Sequence, residues 1–229
     1  MSMPAQPRSG AAPELVFANA RLVLADEVIA GSVAVAEGRI VDMAEGRAAA
    51  PGAVDCAGGL LIPGLVELHT DNLEKHLHPR PGVDWPLRAA VVAHDGEIAS
   101  AGITTVFDAL RVGSLREGYA KFGGRRYARP VVDAIEAMQD ARALRIDHLI
   151  HLRAELCSHT VLEEMDEFGL RDRVRIVSVM DHTPGQRQFA DEAKYRQYYQ
   201  GKHGLSDAEM DRFAAYTKDL AARLGSAHE

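Results

Sequence analysis

A chain of 229 residues with 47% hydrophobic content can build one sizeable core, or one large and one small domain. Its formal charge of −7 lacks the basic face a general nucleic-acid binder depends on, while leaving room for a local basic pocket around a phosphorylated ligand. Cys56 and Cys157 stand far apart in no CxxC pattern, so neither a disulfide framework nor a zinc finger is indicated, and a reducing cytoplasm is the expected setting. No apolar run approaches the ~18 residues that a membrane span requires.

Residues 1–13, MSMPAQPRSGAAP, have no apolar run and read as a disordered tail rather than a signal peptide. From Glu14 to Met43 the pattern is short and β-like: LVFANARLVL gives one strand or a strand pair, and SVAVAEGRIVDMA a hairpin turning at Glu37-Gly38-Arg39. Strand character restarts from Val54 to Leu61. Pro63-Gly64 punctuates the run, so Leu65 to His69 is expected as a separate, buried strand. The following TDNLEKHLHPRPGVDWP is too rich in proline and charge for a core element and is expected as a long loop.

Beyond it the pattern alternates. Leu87 to Ser100 is helix-like, and Gly102 to Phe107 is a buried strand. A helix from about Pro130 puts Val131, Ile135 and Met138 on one face, and His148 to Leu156 is the next strand. Thr160 and Glu163 suggest a capping box for a short helix ending near Gly169. Val174 to Met180 is another apolar strand, followed by the loop DHTPGQ. Ser206 and Glu209 form a second capping box, before a helix with Met210, Phe213, Thr217, Leu220 and Leu224 at core spacing. Such alternation means an α/β fold with a parallel sheet, open or closed.

The chemistry-bearing residues fall after strand ends: His69 and Asp71, Asp108, Glu155, and Asp181 with His182. Ligands of parallel α/β folds bind at those ends. Imidazole and carboxylate together suit Zn²⁺, Mn²⁺ or Fe²⁺, and an ion so held lowers the pKa of water to near ~7, which makes hydrolysis the natural reaction class. Each residue also has a plainer reading. His69 alone would cap a turn; its pairing with Asp71 and the following Glu74, His76 and His78 favour a ligand. His182 beside Asp181 reads equally as ligand or as a turn pair before Pro184. Asp108 suits a helix N-cap, and Glu155 an ion pair with Arg153. His148 and His151, inside an apolar strand, are expected as satisfied core residues.

The segment LIPGLVELHTD resembles the first barrel strand of the amidohydrolase superfamily, and EGRI and AGITTV are typical of it. The strings ELHTDNLEKHLHPRPGVDWP, HLRAELC and SVMDHTPGQRQF resemble the diphosphatases of the carbon–phosphorus lyase pathway within that superfamily, from about residue 15 to the end. The resemblance implies part of a small β-sandwich over 14–62 and an incomplete TIM-type (β/α) barrel over 63–229. It implies hydrolysis of α-D-ribose 1-methylphosphonate 5-triphosphate with a divalent metal, Zn or Mn. His69, Asp71 and His182 are expected as metal ligands and Glu155 and Asp181 as catalytic groups. Lys75, His76, His78, Arg80, Arg153 and Arg187 are expected to hold the triphosphate, Arg in bidentate fashion and Lys as a point charge. Asp71 stands where the superfamily motif has its second His. The later barrel strands find no match, so the chain is expected to be truncated, poorly soluble or oligomeric alone, and low in activity, with a second copy or chain completing the barrel. Two other readings stay open: an amidohydrolase of cyclic amides or deaminase substrates, and an inactive fragment.

Overall fold

The computed structural model describes residues 15–46, 51–80, 83–114, 126–185 and 189–225, so the expected tail and Arg187 lie outside the described residues. The chain divides between Gly64 and Leu65 into two compact units.

The first unit is a single sheet of β1 (Leu15–Val23), β2 (Val28–Ala36), β3 (Arg39–Glu45), β4 (Val54–Asp55) and β5 (Leu60–Leu61). Its order is β3-β2-β1-β4, with β5 also on β1. LVFANARLV is therefore one strand, with an irregularity between Phe17 and Ala20 where Asn19 takes a φ of 54°. The expected hairpin forms. Ala36 pairs with Arg39 across Glu37 and Gly38, whose φ values of 51° and 69° give the mirror-image turn that suits strand twist. Ala20, Leu22 and Val33 make its small core.

The second unit runs β6 (Leu65–Thr70), α1 (Asn72–Leu77), α2 (Leu87–Ser100), β7 (Ile103–Val112), α3 (Ala128–Asp140), β8 (Asp147–Glu155), α4 (Val161–Met165), β9 (Val174–Met180), α5 (Glu192–His203) and α6 (Asp207–Leu220), with a π-helical turn at Ala221–Gly225. The strands form one parallel sheet in chain order, β6-β7-β8-β9, each joined to the next through helix. This is the parallel α/β sheet the alternation implied. Successive side chains of a strand point to opposite faces. Ile150, Leu152 and Ala154 of β8 are buried against Leu110 and Val112 of β7 and Val131, Val132 and Ile135 of α3. Each such side chain contributes about 1.5–3 kcal/mol when fully buried. His151, Arg153 and Glu155 point the other way.

Several expectations need correction. β6 is not buried: Leu65, Val66 and Leu68 are about half exposed, because β7 is its one strand neighbour among the described residues. β9 is bare in the same way at Val177 and Val179, since its neighbour is β8 alone and no described helix covers them. The stretch after Thr70 is not all loop. Leu73 and Leu77, four apart, give α1 an apolar face that enters the main core despite its charged neighbours. The Thr160–Glu163 capping box does not form. Thr160 donates instead to Glu164, whose carboxylate accepts the backbone N–H groups of Gly113 and Ser114. The Ser206–Glu209 box forms in both directions. Helix α5 was not read from the sequence at all.

Asp108 also moves. It is a mid-strand residue of β7, neither an N-cap nor at the strand end, and the pleat sends it into the helix layer beside Ile150. There its Oδ1 lies 2.7 Å from His94 Nε2 of α2, and its Oδ2 lies 2.7 Å from His148 Nδ1 of β8, all three fully buried. Neighbouring Asp95 accepts the backbone N–H groups of Arg145 and Ile146 and the Arg145 guanidinium. The network ties α2 to two strands and to the turn before β8. Burial pushes the Asp108 carboxyl up, but hydrogen bonds from His148 and His94 outweigh it and hold the group below the usual carboxylate range. Burial likewise opposes charge on His148, yet Asp108 and Asp95 raise its pKa above the ordinary imidazole value.

The signs define a window. A depressed carboxylate loses its contribution as pH falls through its folded pKa, and a raised imidazole loses its contribution as pH rises through its own. Asp108→Asn removes one partner of a buried pair and should cost about 3–5 kcal/mol in that window. Urea midpoints measured from about pH 3 to about pH 9 should show the gap between the two proteins narrowing at both ends. A gap constant across the range would show that Asp108 and His148 do not stabilise the fold as a charged pair.

Candidate active site

The carboxyl ends of the four parallel strands deliver side chains to one place. Asp71 follows β6, Arg111 is the penultimate residue of β7, Arg153 and Glu155 close β8, and His182 follows β9. All five line one cavity of ≈ 240 Å³. Phe189, and Tyr198, Tyr199, Lys202 and His203 of α5, form another wall.

On the β6 side, Arg153 NH1 lies 2.6 Å from Asp71 Oδ1, and His69 Nε2 lies 3.8 Å from Asp71 Oδ2. His69 Nδ1 is 3.2 Å from His151 Nδ1, whose Nε2 is 2.8 Å from Ser178 Oγ. His151 is buried and bonded, as expected of a core residue, but it sits on the cavity-side row of β8 and meets a proposed ligand. Burial, with His69 and Arg153 nearby, lowers its pKa, which favours the neutral imidazole that metals take.

On the β9 side, His182 Nδ1 lies 2.5 Å from Glu155 Oε2, and the His182 backbone N–H donates to Glu155 Oε1. A carboxylate holding one imidazole nitrogen fixes the ring and leaves the other nitrogen for a ligand. Asp181 Oδ1 accepts the Thr183 N–H, so a turn role coexists with its place beside the cavity. The Cys157 Sγ–H donates to Asp181 Oδ1 at 3.4 Å, and burial pushes the thiol up to about 11. Among the described residues, Glu155, Cys157 and Asp181 form one of two groups of three whose donor atoms lie within 4.8 Å of one another; the other is His94, Asp108 and His148. His69, Asp71 and His182 do not form such a group: the structure divides them between the two sides.

The loop cations are placed elsewhere. Lys75 lines a shallow recess with Thr70, Asp71 and Asn72. His76 Nε2 lies 2.7 Å from Glu97, His78 Nδ1 lies 2.8 Å from Asp84, and Arg80 forms a backbone bridge with Val83. None of the four lines the cavity, where the basic groups are Arg111, Arg153, Lys202 and His203. Sequence reasoning missed Arg111 and Lys202. Arg111 lies beyond the strand expected to end at Phe107; the structure extends that strand to Val112 and makes Arg111 the register partner of Arg153. Helix α5 carried a signal too: Asp191 caps its start and Gly204 ends it at a φ of 64°.

Arg153 is placed to exchange its Asp71 partner for a ligand phosphate. Arg153→Ala should weaken binding of inorganic triphosphate about 10-fold or more, as loss of a charge-assisted hydrogen bond does. Arg80→Ala should leave it unchanged. Calorimetric titration of both variants checks this, and equal losses in the two would place the anion outside the cavity.

A scan against protein-family models finds no match. The chain is 45% identical over 209 residues to the alpha-D-ribose 1-methylphosphonate 5-triphosphate diphosphatase of Escherichia coli (strain K12), covering 91% of this chain and 54% of that protein. Among solved structures it is similar to the L-hydantoinase (dihydropyrimidinase) from Arthrobacter aurescens at 13% identity, covering 93% of this chain and 51% of that one, with a TM-score of 0.48. A D-hydantoinase matches at 17% identity over 91% of this chain and 49% of its own, with a TM-score of 0.47. The resemblance read from the segments around His69, Glu155 and His182 is thus borne out: the chain is similar to the amino-terminal part of the curated diphosphatase and spans about half its length.

Proposed function

We propose that the second unit carries part of a metal-dependent hydrolase site that splits α-D-ribose 1-methylphosphonate 5-triphosphate into diphosphate and α-D-ribose 1-methylphosphonate 5-phosphate. The observation that carries this reading is the cavity itself, where Arg111 and Arg153 stand among carboxylates and imidazoles at parallel strand ends. The name of the curated relative supplies the reaction.

The donor set suits a divalent ion, Zn²⁺ or Mn²⁺. Asp181 and His182 would hold it on the β9 side, while His69 and Asp71 on the β6 side form no donor group with them. When bound, such an ion polarises phosphoryl oxygens and makes water acidic enough to react at neutral pH. The chain's own groups do the rest. Arg153 and Arg111 grip phosphate oxygens, and Lys202 adds a point charge at the far wall. Glu155 holds His182 in place, and its carboxylate takes the proton as water adds to phosphorus. Diphosphate then leaves in line. We read the five-stranded sheet as part of a β-sandwich domain, and the parallel sheet as four strands of a closed barrel. The bare edges of β6 and β9 are where further strands would pair, because closure is what removes sheet edges. A cytoplasmic setting accords with this metabolism, and no helix among the described residues is long and apolar enough to cross a membrane.

The test is diphosphate release from this substrate with Mn²⁺ or Zn²⁺, beside hydrolysis of a cyclic amide. The reading expects diphosphate, oligomers on size exclusion through the bare strand edges, and a ~10²–10⁴-fold loss of release in Glu155→Gln. Cyclic-amide hydrolysis without diphosphate release would overturn the reaction assigned, and a monomer on size exclusion would overturn pairing through those edges.

A further inference from the structure

Among the groups of the cavity that the hydrolytic reading does not use is the thiol of Cys157. It lies two residues beyond Glu155, is 5% exposed, and lines the cavity. Buried free cysteines usually behave as small hydrophobes. This one does not have a hydrophobe's surroundings. Its sulfur lies 3.4 Å from Asp181 Oδ1, accepts a hydrogen bond from Thr183 Oγ1 at 3.5 Å, and has a Glu155 carboxylate oxygen within 4.8 Å.

We propose that Cys157 Sγ is itself a ligand of the divalent ion, beside the carboxylate of Asp181, and that this mixed sulfur and oxygen set makes the site select zinc. The inference rests on the metal reading given above and adds to it a donor and a metal preference. The span of the atoms supports it. Zinc bonds of about 2.3 Å to sulfur and about 2.1 Å to oxygen, at a tetrahedral angle, separate the two donors by about 3.6 Å. The observed separation of 3.4 Å is within a few tenths of that. An ion can therefore take the place of the proton between Cys157 and Asp181 with little movement of either side chain. Thr183 already donates to the sulfur, as an outer partner of a thiolate ligand does. A thiolate is a soft donor, which shifts preference from Mg²⁺ and Mn²⁺ toward Zn²⁺.

Cobalt(II) is the probe, because it takes zinc sites and reports its ligands by colour. Titrated into the purified chain, Co²⁺ should give visible d–d bands together with a strong near-ultraviolet thiolate-to-cobalt charge-transfer band. In Cys157→Ser the near-ultraviolet band should vanish while the visible bands persist, and zinc affinity should fall about 10-fold or more. Cys56→Ser should keep the band. Visible bands without a charge-transfer band in the unaltered chain would overturn the thiol ligand and leave the metal reading standing; this holds even if the serine variant fails to fold. A band that survives in Cys157→Ser but not in Cys56→Ser would also overturn it. No cobalt absorption of either kind would overturn the metal reading, and this assignment with it.

Discussion

The two-residue period of β8 is the constraint on which the second unit depends. Its even positions, His148 through Ala154, are committed to the helix layer, and its odd positions, His151, Arg153 and Glu155, to the cavity side. A slip of one residue would exchange the two sets. Arginine and glutamate would then enter the apolar layer, while isoleucine and leucine faced the cavity. The apolar core beneath α3 and the charged cavity are thus two faces of one strand, and the packing of the first holds the second in register.

Asp108 shows how strictly the same rule works on β7. It belongs to the residue types that make metal sites, yet parity places it under α2, where His94 and His148 satisfy both of its oxygens. Three positions further along, Arg111 emerges on the cavity side beside its register partner Arg153. A buried ion network and an anion-binding group therefore come from one strand by parity alone. The first anchors the helix layer, and the second adds charge to the cavity. The edge strands show the converse. β6 and β9 each have one strand neighbour among the described residues, and their apolar side chains are exposed where a central strand would bury them.

Much of this was legible in the sequence. The alternation of strand and helix indicated the parallel sheet, and Asp71, Glu155 and His182, singled out after strand ends, line the cavity. The misreadings have physical causes. The run around Asn72 to Leu77 looked too polar for a core element because its two leucines are spaced for a helix and surrounded by charge. Helix α5 draws its core contact from Tyr195 and Tyr199 rather than aliphatic residues, so its apolar face was not visible as such. The basic loop after His69 was assigned to the cavity by proximity in sequence, whereas His76 and His78 are turned to Glu97 and Asp84. Which of two donor clusters faces a cavity is a matter of tertiary placement, and no spacing along the chain expresses it.

The central claim is that the strand-end cavity, and not the buried cluster beneath it, is where a divalent ion binds. Both places hold three donor atoms within 4.8 Å, so composition cannot separate them. Crystals soaked in Mn²⁺ or Zn²⁺ and measured at the absorption edge of the metal would. The account predicts an anomalous peak beside Cys157, Asp181 and His182, with His94, Asp108 and His148 unchanged in their mutual hydrogen bonds. A peak among His94, Asp108 and His148 with none in the cavity would contradict it.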